Sequence, residues 1–269
     1  MSAIQLFKNR YQFHPERAFL VGVERECFIT NQGGVIVPEA LRVLEYVKTH
    51  GWQMCVEATD LDRIIGYELS ACQVETRTRP RPITEIGSEL RWIDEELSCS
   101  LDALGLSSSH NEVAPATMPL DVYPDPTGRY SRISKDMPHE ILLAACRVIG
   151  THVHVGMPDH ETAMRVYDHV TEKCEMLCSL GDHSSGERLA IYRVVAPDAT
   201  PFPYGTWERF YETACEKGFE EDPRKCWTLI RISGHGTIEF RMFGTTSDIS
   251  RIEDWVKCCY ELCCEAAGR

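Results

Sequence analysis

The sequence predicts an α+β fold built on a mainly antiparallel sheet, and three observations predict it. Strand-like and helix-like segments are mixed rather than strictly alternating. Two strand patterns near the C-terminus, 226–232 and 237–243, are joined by Ser233-Gly234-His235-Gly236, a connection tight enough for a β-hairpin. Several strands also carry charged or imidazole residues two apart, which places each pair on one face. At 269 residues, 43 % apolar and 26 % charged, the chain can bury a sizeable core. No repeat, low-complexity tract or linker divides it, so one domain over 1–269 is the economical expectation.

The elements follow in chain order. Residues 19–29, FLVGVERECFI, form the first strand, followed by a turn at Asn31-Gln32-Gly33-Gly34. A short strand and then a helix after Pro38 run to His50 and close at Gly51; 52–56 predicts another strand. Residues 67–78, YELSACQVETRT, contain a further strand, stopped by Arg-Pro-Arg-Pro at 79–82. Ile86, Leu90, Ile93, Leu97, Leu101 and Leu104 recur at helical spacing within 83–104. Residues 107–118 predict a strand, 119–129 a Pro- and Gly-bearing loop, and 136–148 a helix starting near Pro138.

The segment 150–157, GTHVHVGM, alternates like a strand. Asp159 is the expected N-cap of a single helix over 159–180. Residues 181–205 are rich in Gly, Ser and Pro and predict an irregular functional loop. Helices over 206–218 and 248–267 flank the hairpin.

Charge narrows the function. Twenty-eight basic against 41 acidic residues give a net charge of −13, which excludes a general nucleic-acid binder. Such a chain binds a polyanion such as ATP only through divalent metal or a local nest of arginines. No apolar run reaches the roughly 18 residues of a membrane span. Residues 1–17 carry no export pattern, and thirteen cysteines without a CxxC pair read as reduced thiols, so a cytoplasmic location is expected. Cys259 and Cys263 share a helix face; they are open to soft-metal binding or, more simply, to packing as small apolar residues.

The polar residues inside strands carry the chemistry. Glu24 and Glu26 share a face, as do His152 with His154 and Glu239 with Arg241. Glu68 and Glu75 differ by an odd number, so they converge only if a bend or bulge lies between them. Singly, each pair has an ordinary reading: a solvated strand face, half-buried histidines, an edge ion pair. Together they would destabilise an apolar core, because buried charges must be paired or bound to metal. As a set they suit one sheet face that holds hard cations through oxygen, with histidine assisting.

Five pieces occur in order: Gly22-Val23-Glu24-Arg25-Glu26; Glu68 to Thr78 as ELSACQVETRT; Arg129-Tyr130; GTHVHVG from Gly150 to Gly156; and Arg231 with Thr237-Ile238-Glu239-Phe240-Arg241. Over roughly 18–265 this series resembles the glutamate–cysteine ligase type 2 family, the carboxylate–amine ligases. The resemblance implies a curved antiparallel sheet forming a funnel, flanked by helices, like the catalytic sheet of glutamine synthetase and the guanido kinases. It implies Glu24, Glu26, Glu68, Glu75, His152 and Glu239 as Mg²⁺ ligands. It implies Arg129, Arg231 and Arg241 as contacts to phosphates or the substrate carboxylate, with Arg231, Arg241 and His154 in catalysis.

Either Arg188 or Arg193 fills a further arginine role of the family, and Arg193 is taken beside Arg129 and Arg241 on the nucleotide. The activity implied is ATP- and Mg²⁺-dependent joining of a small carboxylate to an amine through an acyl phosphate, with a homo-oligomer open. The stretches 178–193 and 243–246 depart from the family pattern, which bears on the amine more than on the metal chemistry. Two rivals stay open: a transition-metal hydrolase using His152, His154 and a Glu, and a non-catalytic binding relative.

Overall fold

The structure, a computed structural model, describes residues 1–50 and 64–269. The strand expected at 52–56 lies outside the described residues. Among the described residues seven strands form one sheet: β1 (Val21–Asn31), β2 (Ile65–Tyr67), β3 (Gln73–Arg77), β4 (Leu106–Ser109), β5 (Thr151–Gly156), β6 (Ile230–Ile232) and β7 (Thr237–Phe243). The order is β2-β3-β1-β5-β7-β6, and every pairing is antiparallel. Phe28 of β1 pairs with Gln73 of β3 and with Ser109 of β4, so those two strands lie on opposite edges of β1. β5 takes the edge that β4 uses, but nearer the start of β1, at Val21 to Arg25.

The helices are α1 (Ala3–Lys8), α2 (Ala40–His50), α3 (Ile86–Ala103), α4 (Arg129–Ser134), α5 (His139–Arg147), α6 (His160–Thr171), α7 (Cys174–Gly181), α8 (Glu187–Val195), α9 (Trp207–Lys217) and α10 (Ile249–Ala267). Their starts are written in side chains. The Asp159 carboxylate accepts the Thr162 N–H, Thr206 accepts that of Arg209, and Asp248 accepts those of Ser250 and Arg251. Each cap satisfies an N–H group that the first helical turn leaves without a partner. α9 stops at Gly218, whose φ of 73° suits glycine.

Alternation along the strands sorts their side chains. Val21, Val23, Val153, Val155, Ile238 and Phe240 are buried against Val166, Tyr167 and Val170 of α6 and Ile252, Trp255 and Cys259 of α10. Cys27, Ile29 and Val74 meet Val43 and Val47 of α2 and Ile93 and Leu97 of α3. Each such aliphatic or aromatic side chain contributes roughly 1.5–3 kcal/mol when removed from water. Cys259 and Cys263 are fully buried in the first of these clusters, as small packing residues would be. No described helix is long and apolar enough to cross a membrane.

The structure corrects four expectations. The strand expected within 67–78 is only Gln73–Arg77, β3; Glu68 lies outside it, just past β2, which pairs with β3 across a turn. The strand over 107–118 pairs only as Leu106–Ser109; beyond it, Val113 makes one bridge to Val148, and Pro115 and Pro119 cannot donate to a ladder. The helix over 159–180 is α6 and α7. The Thr171 hydroxyl takes the Asp168 carbonyl and Lys173 N–H tightens onto Val170, which ends α6. The loop over 181–205 contains α8, which begins directly after Gly186 at φ 87°. The short helices α1 and α4 carried no strong periodic signal.

Candidate active site

The face of the sheet turned away from the α6 and α10 side chains carries the polar set. Register explains how. Glu24 stands opposite Arg77 on β3 and opposite His152 on β5; Gly22 stands opposite His154. His154 stands opposite Glu239, and Glu239 opposite Arg231. Glu26 stands opposite Glu75, two carboxylates directly across from one another. Such a like-charge pair costs stability unless something neutralises it. Glu68 and Glu75 converge because they lie on two arms of a hairpin, which answers the odd spacing without a bulge.

The six carboxylate and imidazole residues implied as metal ligands fall into two groups. Ligand atoms of Glu24, His152 and Glu239 lie within 4.8 Å of one another, and so do those of Glu26, Glu68 and Glu75. In the first group Glu24 Oε2 lies 3.2 Å from His152 Nδ1 and 3.4 Å from His154 Nε2. Arg231 holds Glu239 in a fork, with Nε to Oε2 at 2.6 Å and a second bond of 2.9 Å to Oε1, and Arg241 also bonds Oε1. Glu239 is 1 % exposed. Burial alone would raise its pKa, but the two guanidinium groups outweigh burial and hold it far below the usual carboxylate range. Glu24 is likewise held well below that range, burial being outweighed by His154 and His152.

The second group is the reverse. Burial pushes Glu68 well up, and the neighbouring Glu75 and Glu26 push it further. Burial raises Glu26 too, partly offset by His152 and by the Gly150 N–H, which donates to Oε2 at 2.7 Å. Arg77 is bonded to Glu75, and among the described residues no Lys or Arg lies within 4 Å of Glu68. His154 belongs to neither trio. Its Nδ1 meets Thr237 Oγ1 at 2.8 Å, and burial, which lowers its pKa, is outweighed by Glu24 and Glu239, which raise it.

Two cavities open on this face and meet at Glu24 and Arg77. One of about 310 Å³ is lined by Glu26, Glu68, Glu75, Arg129, Arg231 and Trp227 among others. The other, of about 700 Å³, is lined by His154, His235, Thr237, Arg17, Leu20 and Met157 among others. Arg129 faces the smaller cavity, with its guanidinium 5.6 Å from the Tyr130 ring, and no carboxylate of the described residues pairs with it. A third cavity, of about 970 Å³, is lined by Asp94, His110, Glu112 and Arg251 among others and holds none of the implied site residues.

One implied residue is not brought to the site. Arg193 is exposed on α8 and lines neither cavity of this face, whereas Arg188, five residues earlier and 3 % exposed, points inward. A helix turns positions five apart toward different sides, so only one of the two could serve. The sequence reading also missed Arg77, Tyr192, Trp227 and His235. Arg77 was within reach, lying two residues beyond Glu75 on one strand. Tyr192 was hidden with α8 inside the stretch read as a loop.

The residues present fit a hard divalent cation. Five carboxylates and one imidazole make up the two trios. An octahedral Mg²⁺ with bonds of about 2.1 Å sets neighbouring oxygens about 3 Å apart, within what both trios can offer. The raised values of Glu26 and Glu68 record buried negative charge that a cation would relieve.

The pattern described as "Glutamate-cysteine ligase family 2(GCS2)" matches residues 20–178. Over 262 residues the chain is 23 % identical to "Putative glutamate--cysteine ligase 2" of Gloeobacter violaceus, covering 89 % of this chain and 66 % of that protein. It is 33 % identical over 142 residues to "Putative glutamate--cysteine ligase 2-1" of Nocardia farcinica, covering 51 % of this chain and 34 % of that one. The chain thus spans only 66 % and 34 % of the lengths of these curated relatives. Among solved structures, glutamine synthetase of Plasmodium falciparum is similar over 98 % of this chain and 54 % of that chain, at 10 % identity and a TM-score of 0.48.

Proposed function

The chain belongs to glutamate–cysteine ligase family 2, and from that premise we propose that it joins a small carboxylic acid to an amine at the expense of ATP, with Mg²⁺ as the cofactor. The observation that carries the proposal is the pair of trios, Glu24/His152/Glu239 and Glu26/Glu68/Glu75, side by side on one sheet face. In the proposed reaction a carboxylate oxygen of the acid attacks the γ-phosphorus and ADP departs. The amine then attacks the acyl carbon of the resulting acyl phosphate, loses its proton and displaces phosphate. Bound at the two trios, Mg²⁺ supplies neutralisation of the phosphate oxygens.

The protein's own groups bind and orient. Arg129 faces the smaller cavity with no ion-pair partner among the described residues, and it fixes the acid by its carboxylate in forked geometry. The volume of that cavity suits a reactant the size of an amino acid, and glutamate is the first acid to try. The larger cavity suits the nucleotide, with His154 and Thr237 toward the phosphates. Arg231 and Arg241 keep Glu239 ionised and aimed, so that its oxygens are ready to ligate. The dominance of oxygen donors weighs against the transition-metal hydrolase, which needs a site richer in imidazole.

The test is ATP-to-ADP conversion against a panel of amino acids and amines, with the coupled product read by mass spectrometry. ADP release should need Mg²⁺, an acid and an amine together, and the product should weigh their sum less one water. ADP release indifferent to the acid, or ATP binding equally tight in excess EDTA, would overturn the proposal.

A further inference from the structure

We infer that Arg188 is a positioning residue that ties the two trios together by clamping a break in the β5–β7 ladder. The inference rests on the ligase reading only for the use to which the clamped groups are put. Thr151 pairs with Phe243, but Val153 pairs with Phe240, so two steps on β5 match three on β7. The extra residue bulges β7 at Arg241 and Met242, neither of which has a register partner on β5.

Arg188 fills that break. It donates from Nε to the Ile149 carbonyl at 2.7 Å, and from its two terminal nitrogens to the carbonyls of Met242 at 3.0 Å and Arg241 at 3.3 Å. Among the described residues no carboxylate lies within ion-pair distance of it, and the side chain is 3 % exposed. Its planar fork meets three carbonyls at once, and Glu26 and Glu112 favour its charge from beyond ion-pair distance.

What the three carbonyls belong to gives the clamp its meaning. Ile149 leads into Gly150, whose N–H holds Glu26 at 2.7 Å. Arg241 bonds Glu239 and lies 5.7 Å from the Trp227 ring. One side chain therefore steadies an anchor of each trio. It also explains the glycine that heads GTHVHVG: a Cβ at position 150 would run into the Arg188 guanidinium. Arg188 acts on the backbone beneath the site, which is a different task from contact with a phosphate.

The test uses the full chain with R188M, R188K, G150A and, as a control for general destabilisation, Val166→Ala in the helix layer. Mn²⁺ binding is titrated by electron paramagnetic resonance without nucleotide. Trp227 emission is isolated by subtracting the same variants built on W227F. R188M should weaken Mn²⁺ binding about 10- to 100-fold and shift the Trp227 emission. R188K, with a single point of attachment, should fall between it and the native protein. Val166→Ala should lower the melting temperature while leaving Mn²⁺ affinity within about twofold, because Val166 packs against the sheet face opposite the trios.

If R188M does not fold, G150A carries the test, because it displaces the guanidinium without deleting it and should give the same emission shift. Native Mn²⁺ affinity and native Trp227 emission in R188K and G150A would overturn the inference, as would equal loss of Mn²⁺ affinity in Val166→Ala. Absence of Mn²⁺ binding by the native protein would instead overturn the ligase reading, and the Trp227 emission alone would then decide the clamp.

Discussion

The two trios sit on one sheet face, yet they solve the problem of buried charge in opposite ways. Glu24 and Glu239 are surrounded by His152, His154, Arg231 and Arg241, which hold them ionised at all ordinary pH. Glu26, Glu68 and Glu75 face mainly one another, with Arg77 on Glu75 and one backbone N–H on Glu26. The first trio is a finished electrostatic structure before any ligand arrives. The second is left short of positive charge: burial and the neighbouring carboxylates push Glu26 and Glu68 upward, and a bound cation would oppose that push. The difference teaches that one half of the site is charge-balanced by the protein's own cations and the other half is not.

The largest effects should fall on turnover and should not distinguish the trios. Glu24→Ala and Glu75→Ala each remove a donor from one of them, and each should lower ADP release by about 100-fold or more while far-UV circular dichroism stays native. Turnover within about threefold of the native protein would end the two-trio assignment.

Stability should separate them by sign. Glu239→Gln leaves Arg231 and Arg241 buried against a neutral amide, and it should cost about 3–5 kcal/mol in urea unfolding. Glu68→Gln removes one of three crowded carboxyl groups, and without metal it should raise the melting temperature. Added Mg²⁺ should then stabilise the native protein more than Glu68→Gln. A loss of stability in both variants without metal would erase the contrast.

The same contrast gives opposing pH slopes in EDTA. Glu24 and Glu239 have folded values below the unfolded value of about 4.3. Their contribution is complete above that pH and is lost as pH falls through the folded values. Glu26 and Glu68 have raised values, so stability falls as pH rises from about 4.3 through them. His154, also raised, is fully stabilising below about 6.5 and loses that contribution as pH rises through its folded value. The metal-free melting temperature should therefore peak in mild acid and decline toward neutral pH, and Mg²⁺ should remove most of the decline. An identical decline in a Glu26→Gln, Glu68→Gln double variant would show that these carboxyl groups do not cause it.

Much of this face was legible in the sequence, because a period of two is a strong constraint. Glu24 with Glu26, and His152 with His154, had to share faces, and the hairpin at 233–236 fixed β6 beside β7. Glu68 and Glu75 do converge, through a turn between two strands rather than within a single one. Seven residues of separation cannot tell a bulged strand from a turn between two strands, and only the pairing of Gly66 with Glu75 decides it. The stretch 181–205 failed for a different reason. Asp182, Ser184 and Gly186 are turn formers, and here they build the cap in front of α8, since Asp182 accepts N–H bonds from Ser184 and Gly186. Local chemistry that marks a loop also marks a helix entrance, and the residues that follow must arbitrate.

The smallest contrast lies between two arginines that the family resemblance placed together on the nucleotide, Arg129 and Arg193. Arg129 faces the cavity of the second trio and has no carboxylate partner among the described residues, so replacing it breaks no ion pair there. Arg129→Ala should leave stability within about 0.5 kcal/mol and raise the KM for the acid about 10-fold or more, with the KM for ATP little changed. Arg193 is exposed on α8 and turned from both cavities, so Arg193→Ala should alter neither KM by more than about twofold. The pair isolates orientation, since both are solvent-accessible cations and only Arg129 lines a cavity of the site. If Arg129→Ala raised the KM for ATP and spared that for the acid, the two cavities would have to exchange their reactants while the trios kept their roles. If Arg193→Ala matched it, long-range charge rather than a directed contact would govern binding, and both effects should then fade in about 0.5 M salt.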